Sequence, residues 1–387
     1  MLYYLEPIYI ALSLFIVIAV LIFIPWLIYI YRRFGYFPFS TTIIVFSFIF
    51  YFMAALFLTM LPMPDTRHNC TDVTITQPYS LKPFQFIEDI KRETRVEWTN
   101  PSTYAYLLKE RAFLQAFFNF LLLMPLGVYL RYYFGTRRAW WKALPLIAGV
   151  TLFYEVTQAT GIYGFFDCPY RVFDVDDLIL NTAGGLLGFF LAPIILALFP
   201  SRAEVHEKAE QLLARDEVRN MAVLLAMAID LAFIRMFVEL ISSISGYTDA
   251  WSRFIVHTLM LILWLAILPA MGKGATFGTR ILRFRYTGER LIIGLVKRTL
   301  AVWLVFALQF TSSILSEIQL ETGSSENFTR LMNLFEFVGS SLLVLILFLH
   351  VIIVLLSKEK RRFYFDAYAK LSATRRPKDE SIAKDRD

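Results

Sequence analysis

Long apolar runs separated by short polar stretches recur from one end of this chain to the other. A helix that crosses a bilayer needs roughly 20 mostly apolar residues, because every backbone N–H and C=O must be satisfied inside the segment. The pattern predicts nine such helices, over residues 8–31, 40–62, 112–134, 143–163, 178–199, 220–243, 253–271, 299–316 and 331–356. The first run is too long for the core of a cleaved leader, and no Lys or Arg precedes it, the first being Arg32. The expected fold is an all-α, polytopic integral membrane bundle of about nine transmembrane helices.

Composition agrees with that pattern. Of 387 residues, 57% are hydrophobic, 17% aromatic and only 18% charged, all displaced from soluble averages toward lipid. With 37 Phe, 17 Gly, 15 Pro and 2 Cys, the chain is neither disordered, collagen-like nor a disulfide scaffold. The net charge of +6 speaks for basic loops rather than a nucleic-acid surface. Of the 38 Lys and Arg, 27 fall in the segments that follow spans one, three, five, seven and nine, counting Arg131 at the end of span three. Cytoplasmic loops concentrate such residues, so the N-terminus is expected outside and the C-terminus inside. Seven of the others lie in one long external loop, 63–111, and Arg235 lies within a span. The short external loop near 317–330 is acidic, with Glu317, Glu321 and Glu326.

Two polar stretches organise the chain. Residues 200–219 are charge-mixed with helical spacing and are expected to form a cytoplasmic linker. Residues 377–387 are expected to be a disordered tail. Between them lie a five-span half, 1–199, carrying the loop 63–111, and a four-span half, 220–376. No repeat of fixed period is visible, which disfavours a transporter built from inverted repeats.

Ionisable residues in or beside spans are costly in lipid, and each asks for an explanation. The densest set lies in the first half. Glu155 and Gln158 are three apart in the fourth span and share a face. The loop FFDCPYRVFDVDD supplies Asp167, Arg171, Asp174, Asp176 and Asp177, and the fifth span follows as LILNTAGGLLGFF. Asp174, Asp177 and Asn181 are spaced i, i+3, i+7 and stack along one face as that helix enters the bilayer. Asn119, in the third span, is a polar group able to join them. Two accounts compete. Architecture alone uses Asp as a helix cap, pairs Glu155 with Arg171, and lets Gly184, Gly185 and Gly188 bring helices close. Five acids against one arginine exceed that need, which favours an outward-facing polar pocket binding a lipid headgroup or another cationic or hydrogen-bonding ligand. A divalent cation on Asp174, Asp176 and Asp177 is the weaker alternative.

The string Asn119, Pro125-Leu-Gly127, Glu155-x-x-Gln158 and Arg171-x-x-Asp174-x-Asp176-Asp177-x-x-x-Asn181-x-x-Gly184-Gly185 resembles the VanZ-like family over roughly residues 10–200. That resemblance implies a role at the bacterial cell envelope and an association with low-level resistance to glycopeptide antibiotics, teicoplanin in particular. In the second half, Arg219, Asp230, the Gly274-x-x-x-Gly278-Thr-Arg280 loop and Asp366 in FYFDAYAK resemble the RDD family. The family's usual Thr-Pro-Gly loop core is Thr276-Phe277-Gly278 here. That likeness implies an inner-membrane module proposed to act in transport. The glycine loop does not have nucleotide-binding spacing; a basic turn on the inner leaflet fits it better. Asp230 within lipid needs a cationic partner, and Arg298 or Arg280 is within sequence reach.

Cys70 and Cys168 are both external in this topology and can form a disulfide tying the loop 63–111 to the acidic loop. Phe84, Phe86, Tyr104 and Tyr106 place aromatics in the loop 63–111, as a lid at the interface or as a plain cap. His68, His206, His257 and His350 are scattered and lack metal-binding spacing, and no cofactor is called for. The leading expectation is a multi-pass protein of the bacterial plasma membrane that binds an envelope lipid or lipid-linked cell-wall precursor. It would thereby oppose a lipoglycopeptide antibiotic, without nucleic acid as a partner. The alternatives are a membrane enzyme on a lipid-linked glycan or teichoic acid, with Glu155 and Asp177 as its acid–base pair, or a small-solute or ion transporter.

Overall fold

The computed structural model describes residues 2–70, 78–94, 96, 97, 99–216, 218–246, 249–321, 326–357 and 361–375, with side chains 2–6, 312–329, 332 and 333 also left aside. The tail 377–387 and the side chains of Glu317, Glu321 and Glu326 therefore lie outside the described residues. The chain is helical almost throughout. Its helices are α1 (Leu2–Phe34), α2 (Phe39–Met60), α3 (Gln85–Glu93), α4 (Arg111–Leu122), α5 (Met124–Phe134), α6 (Trp140–Ala159), α7 (Gly161–Gly164), α8 (Val175–Leu196) and α9 (Arg202–Leu213). They continue as α10 (Asn220–Ser245), α11 (Ala250–Ile262), α12 (Leu268–Met271), α13 (Phe277–Ile281), α14 (Leu291–Glu321), α15 (Glu326–Leu356) and α16 (Tyr364–Ala369). A π-helical turn at Leu263–Ile267 joins α11 to α12.

Among the described residues, eight helices are long and apolar enough to cross a membrane: Pro7–Phe34, Phe39–Met60, Arg111–Phe134, Val175–Leu196, Asn220–Ser245, Ala250–Met271, Leu291–Thr311 and Leu334–Leu356. The architecture is an all-α polytopic membrane bundle. The ninth expected span, 143–163, is the helix α6, and it is not one of the eight. It carries Thr151, Glu155, Thr157 and Gln158 as buried polar groups, which dilute its apolar character. It also ends at Ala159, four residues early, before a turn in which Ile162 and Tyr163 take left-handed backbone angles. Arg298, expected in a loop, lies inside α14, whose helix begins at Leu291.

Local chemistry sets the boundaries. Pro125 has no N–H to donate, so the helical stretch breaks at Leu123 into α4 and α5. Gly135 ends α5 in the left-handed region, its N–H returning to the Arg131 carbonyl at 2.9 Å.

The chain divides into two compact units, Met1–Pro25 with Pro38–Lys208, and Trp26–Phe37 with Ala209–Asp387. The first packs α4, α5 and α6 around α8, over a core of Leu123, Leu126, Ala143, Ile147, Tyr154 and Phe189. Close approach needs glycine here: a Cβ on Gly184 or Gly188 would overlap the carbonyls of Phe120 and Met124. A short parallel pair, β1 (Tyr79–Ser80) with β2 (Phe173–Asp174), matches Tyr79 to Phe173 and Ser80 to Asp174. In the second unit α10 packs on α11 and α13, α14 packs on α11 and α16, and α13 meets an antiparallel pair, β3 (Phe284–Thr287) with β4 (Ser372–Arg375). Phe284, Tyr286, Phe363 and Leu371 are fully enclosed in its core.

Candidate functional site

A single turn of sequence at the start of α8 places three carboxylates differently. Asp174 is the N-cap, extended at φ −123°, and its carboxylate accepts the Asp176 N–H at 2.9 Å. Asp176 turns the other way. Its two oxygens accept the N–H groups of Phe84 at 2.6 Å and Phe86 at 2.8 Å, which fixes the first turn of α3 onto α8. Asp177, one turn inward from Asp174, accepts a hydrogen bond from the Asn119 amide on α4. Its second oxygen has no hydrogen-bond partner among the described residues.

These three anchors hold α3, α4 and α8 around a cavity of about 300 Å³. It is lined by the acids Asp89, Glu93, Asp174, Asp176 and Asp177, the arginines Arg92 and Arg111, and the amides of Gln85, Gln115 and Asn119. Acids outnumber arginines, so the space is electronegative with a basic edge. Burial pushes the Asp174 carboxyl above its ordinary value; the Asp176 N–H opposes that, while the Asp176 and Asp89 charges add to it.

Of the eight residues the sequence groups as ligand-binding, Asn119, Asp174, Asp176 and Asp177 line the cavity. The other four lie outside its lining. Glu155, 3% exposed on α6, accepts the Asp174 N–H at 3.0 Å and so supports the cap from beneath. Asn181 donates to the Thr151 hydroxyl at 3.1 Å, and its own Oδ1 is buried without a partner among the described residues. Gln158 donates to the Thr59 carbonyl, and Arg171 to the Leu61 carbonyl at 2.9 Å. The expected Glu155–Arg171 ion pair is thus replaced by two backbone contacts. Asp176 spends both oxygens on N–H donors, and no group of three metal-ligating side chains is found among the described residues.

Six lining side chains, Gln85, Asp89, Arg92, Glu93, Arg111 and Gln115, escaped the sequence reading. Arg111, Gln115 and Asn119 follow at i, i+4, i+8, so a polar stripe on α4 was legible. That α3 would close the other wall was not, because it depends on Asp176 reaching 92 residues back. Cys70 and Cys168 are joined as a disulfide with Cα atoms 5.1 Å apart. Beside them Asn69, fully buried, bonds Cys168 twice, donating to its carbonyl and accepting its N–H, both at 2.9 Å. The loop is thereby tied down at its start as well as at α3. Phe84, Tyr104 and Tyr106 remain exposed.

Every residue that lines this cavity falls within one stretch of homology. Residues 48–200 match the VanZ/LLP1 family model. This part of the chain is similar to that family, and it contains the cavity whole. No curated protein and no solved structure matches the chain.

The second unit holds a separate buried polar cluster. Arg298, fully enclosed, donates from Nε to Asp366 at 2.8 Å and from a terminal nitrogen to the Tyr286 hydroxyl at 2.8 Å. Burial pushes the Asp366 carboxyl up, with the Arg298 guanidinium pulling it down. Asp230 was expected to pair with an arginine. Its Oδ1 instead accepts the Gly278 N–H at 2.7 Å and the Trp264 indole N–H at 3.3 Å. A Cβ on Gly278 would overlap the Ala226 carbonyl, so only glycine lets this backbone N–H approach α10. Arg280 is exposed beyond that loop, and the Arg219 carbonyl accepts the Ala222 N–H at 2.9 Å where α10 begins.

Proposed function

We propose that the VanZ-like region is a headgroup-binding module of the bacterial plasma membrane, its cavity opening to the outer face. The supporting observation is the mixed-charge cavity of about 300 Å³ with a spare Asp177 oxygen. That volume is at the lower end of the roughly 300–1,000 Å³ of small-molecule sites, enough for a headgroup and too small for a whole lipid. Its charge pattern suits a zwitterion. An ammonium is stabilised against Asp174 and Asp177, and a phosphate against Arg92 and Arg111 by charge-assisted, fork-like hydrogen bonds. Acyl chains then stay in the bilayer beside α4.

The ligand is an envelope phospholipid or a lipid-linked cell-wall precursor. A site of this kind lowers susceptibility to a lipoglycopeptide such as teicoplanin, whose acyl chain partitions into the same leaflet, without altering peptidoglycan. Native mass spectrometry of the full chain in mild detergent tests the reading. The wild type is expected to retain an amine-bearing lipid and Asp177→Asn to lose it at unchanged folded yield. Equal retention by both contradicts the proposal.

A further inference from the structure

Two charges of the second unit have no hydrogen-bond or ion-pair partner among the described residues. Arg235 and Glu239 are four apart on α10 and so occupy one helix face. Both are exposed, and both lie within the apolar span Asn220–Ser245. At ~1.5 Å per residue, Arg235 is about 22 Å along the axis from Asn220, deep within a hydrocarbon layer of roughly 30 Å. Neither side chain makes a hydrogen bond or ion pair among the described residues. His257 on α11 lies within electrostatic reach of both, but its ring is occupied by stacking on Phe306 at 4.0 Å.

The same face continues inward through Ala228 and Ala232, also exposed and spaced as the small-xxx-small pattern that lets helix backbones approach. Ile234, Val238 and Asp230 take the buried side. An intramembrane charge facing lipid is unfavourable unless something meets it.

We infer that this α10 face is the contact surface for a second copy of the chain, with Arg235 of each copy pairing with Glu239 of the partner subunit. The charges themselves select that occupant. A two-fold interface presents the same patch from both sides, so one arginine and one glutamate on a single face answer each other twice. Their offset of four residues, about 6 Å along the helix, is within the span of an arginine side chain. The alanines supply the close approach that such a reach requires.

Oxidative cross-linking in membranes tests this with the full-length chain carrying Ala232→Cys. The expected result is a reducible dimer, lost on adding Arg235→Glu or Glu239→Arg singly and restored by the double exchange Arg235→Glu/Glu239→Arg. A monomer mass for the unsubstituted chain in native mass spectrometry overturns the inference. So do single reversals that cross-link as well as their parent. A double exchange that inserts normally yet stays monomeric also overturns it, and assigns the face to a different membrane protein.

Discussion

Asp176 and Asp177 are neighbours in sequence with different duties. Asp176 is structural: it is 3% exposed and both its oxygens hold the backbone of α3. Asp176→Ala is expected to free those two N–H groups, raising amide exchange at Phe84 and Phe86, whereas Asp177→Asn leaves that exchange unchanged. Equal protection in wild type and Asp176→Ala contradicts the assignment. Asp174 adds a pH signature. Its folded carboxyl is raised by burial, so its contribution to stability is fully present below the ordinary aspartate value of about 3.9. That contribution is lost as pH rises through the raised folded value. Asp174→Asn keeps a residue that caps helices well and removes the titration. Thermal unfolding should therefore fall less steeply with rising pH across that window in the variant than in wild type; parallel slopes refute the point.

At the scale of elements, α8 is the axis of the VanZ-like region, and its glycines set how near α4 and α5 come. Gly184→Ala places a Cβ against the Phe120 carbonyl, where backbone rather than a flexible side chain must yield. Overpacking of this sort costs about 1–3 kcal/mol, so a clearly lower melting temperature in detergent is expected, and an unchanged one would show the helices farther apart. The glycine string was legible because small residues at helical spacing have few other uses in a span. The Asp174 cap was legible from its place before an apolar run. Glu155 and Gln158 of α6 were read as ligand-binding because, in one dimension, they look like pocket residues on an ordinary transmembrane face. Folded, they bond the Asp174 N–H and the Thr59 carbonyl, which makes α6 a brace rather than a wall. Asp230 was misread for a related reason. Spacing cannot show that a glycine turn will bring a backbone N–H to a carboxylate 48 residues away.

For the whole molecule, hydropathy gave the membrane bundle, and polar density pointed to the region where the cavity lies. What stayed hidden was which carboxylates face open space, since that is decided by long-range closure: α3 docking on Asp176, and the Cys70–Cys168 bond tying the loop. The proposed function requires that the space between α3, α4 and the start of α8 hold a lipid headgroup. Cryo-electron microscopy of the full chain in nanodiscs of its native lipids addresses it directly. The expected map shows headgroup density touching Asp177 on one side and Arg111 on the other, with chains leaving beside α4. A cavity holding only water, or closed by α3 lying flat against α4, would contradict it.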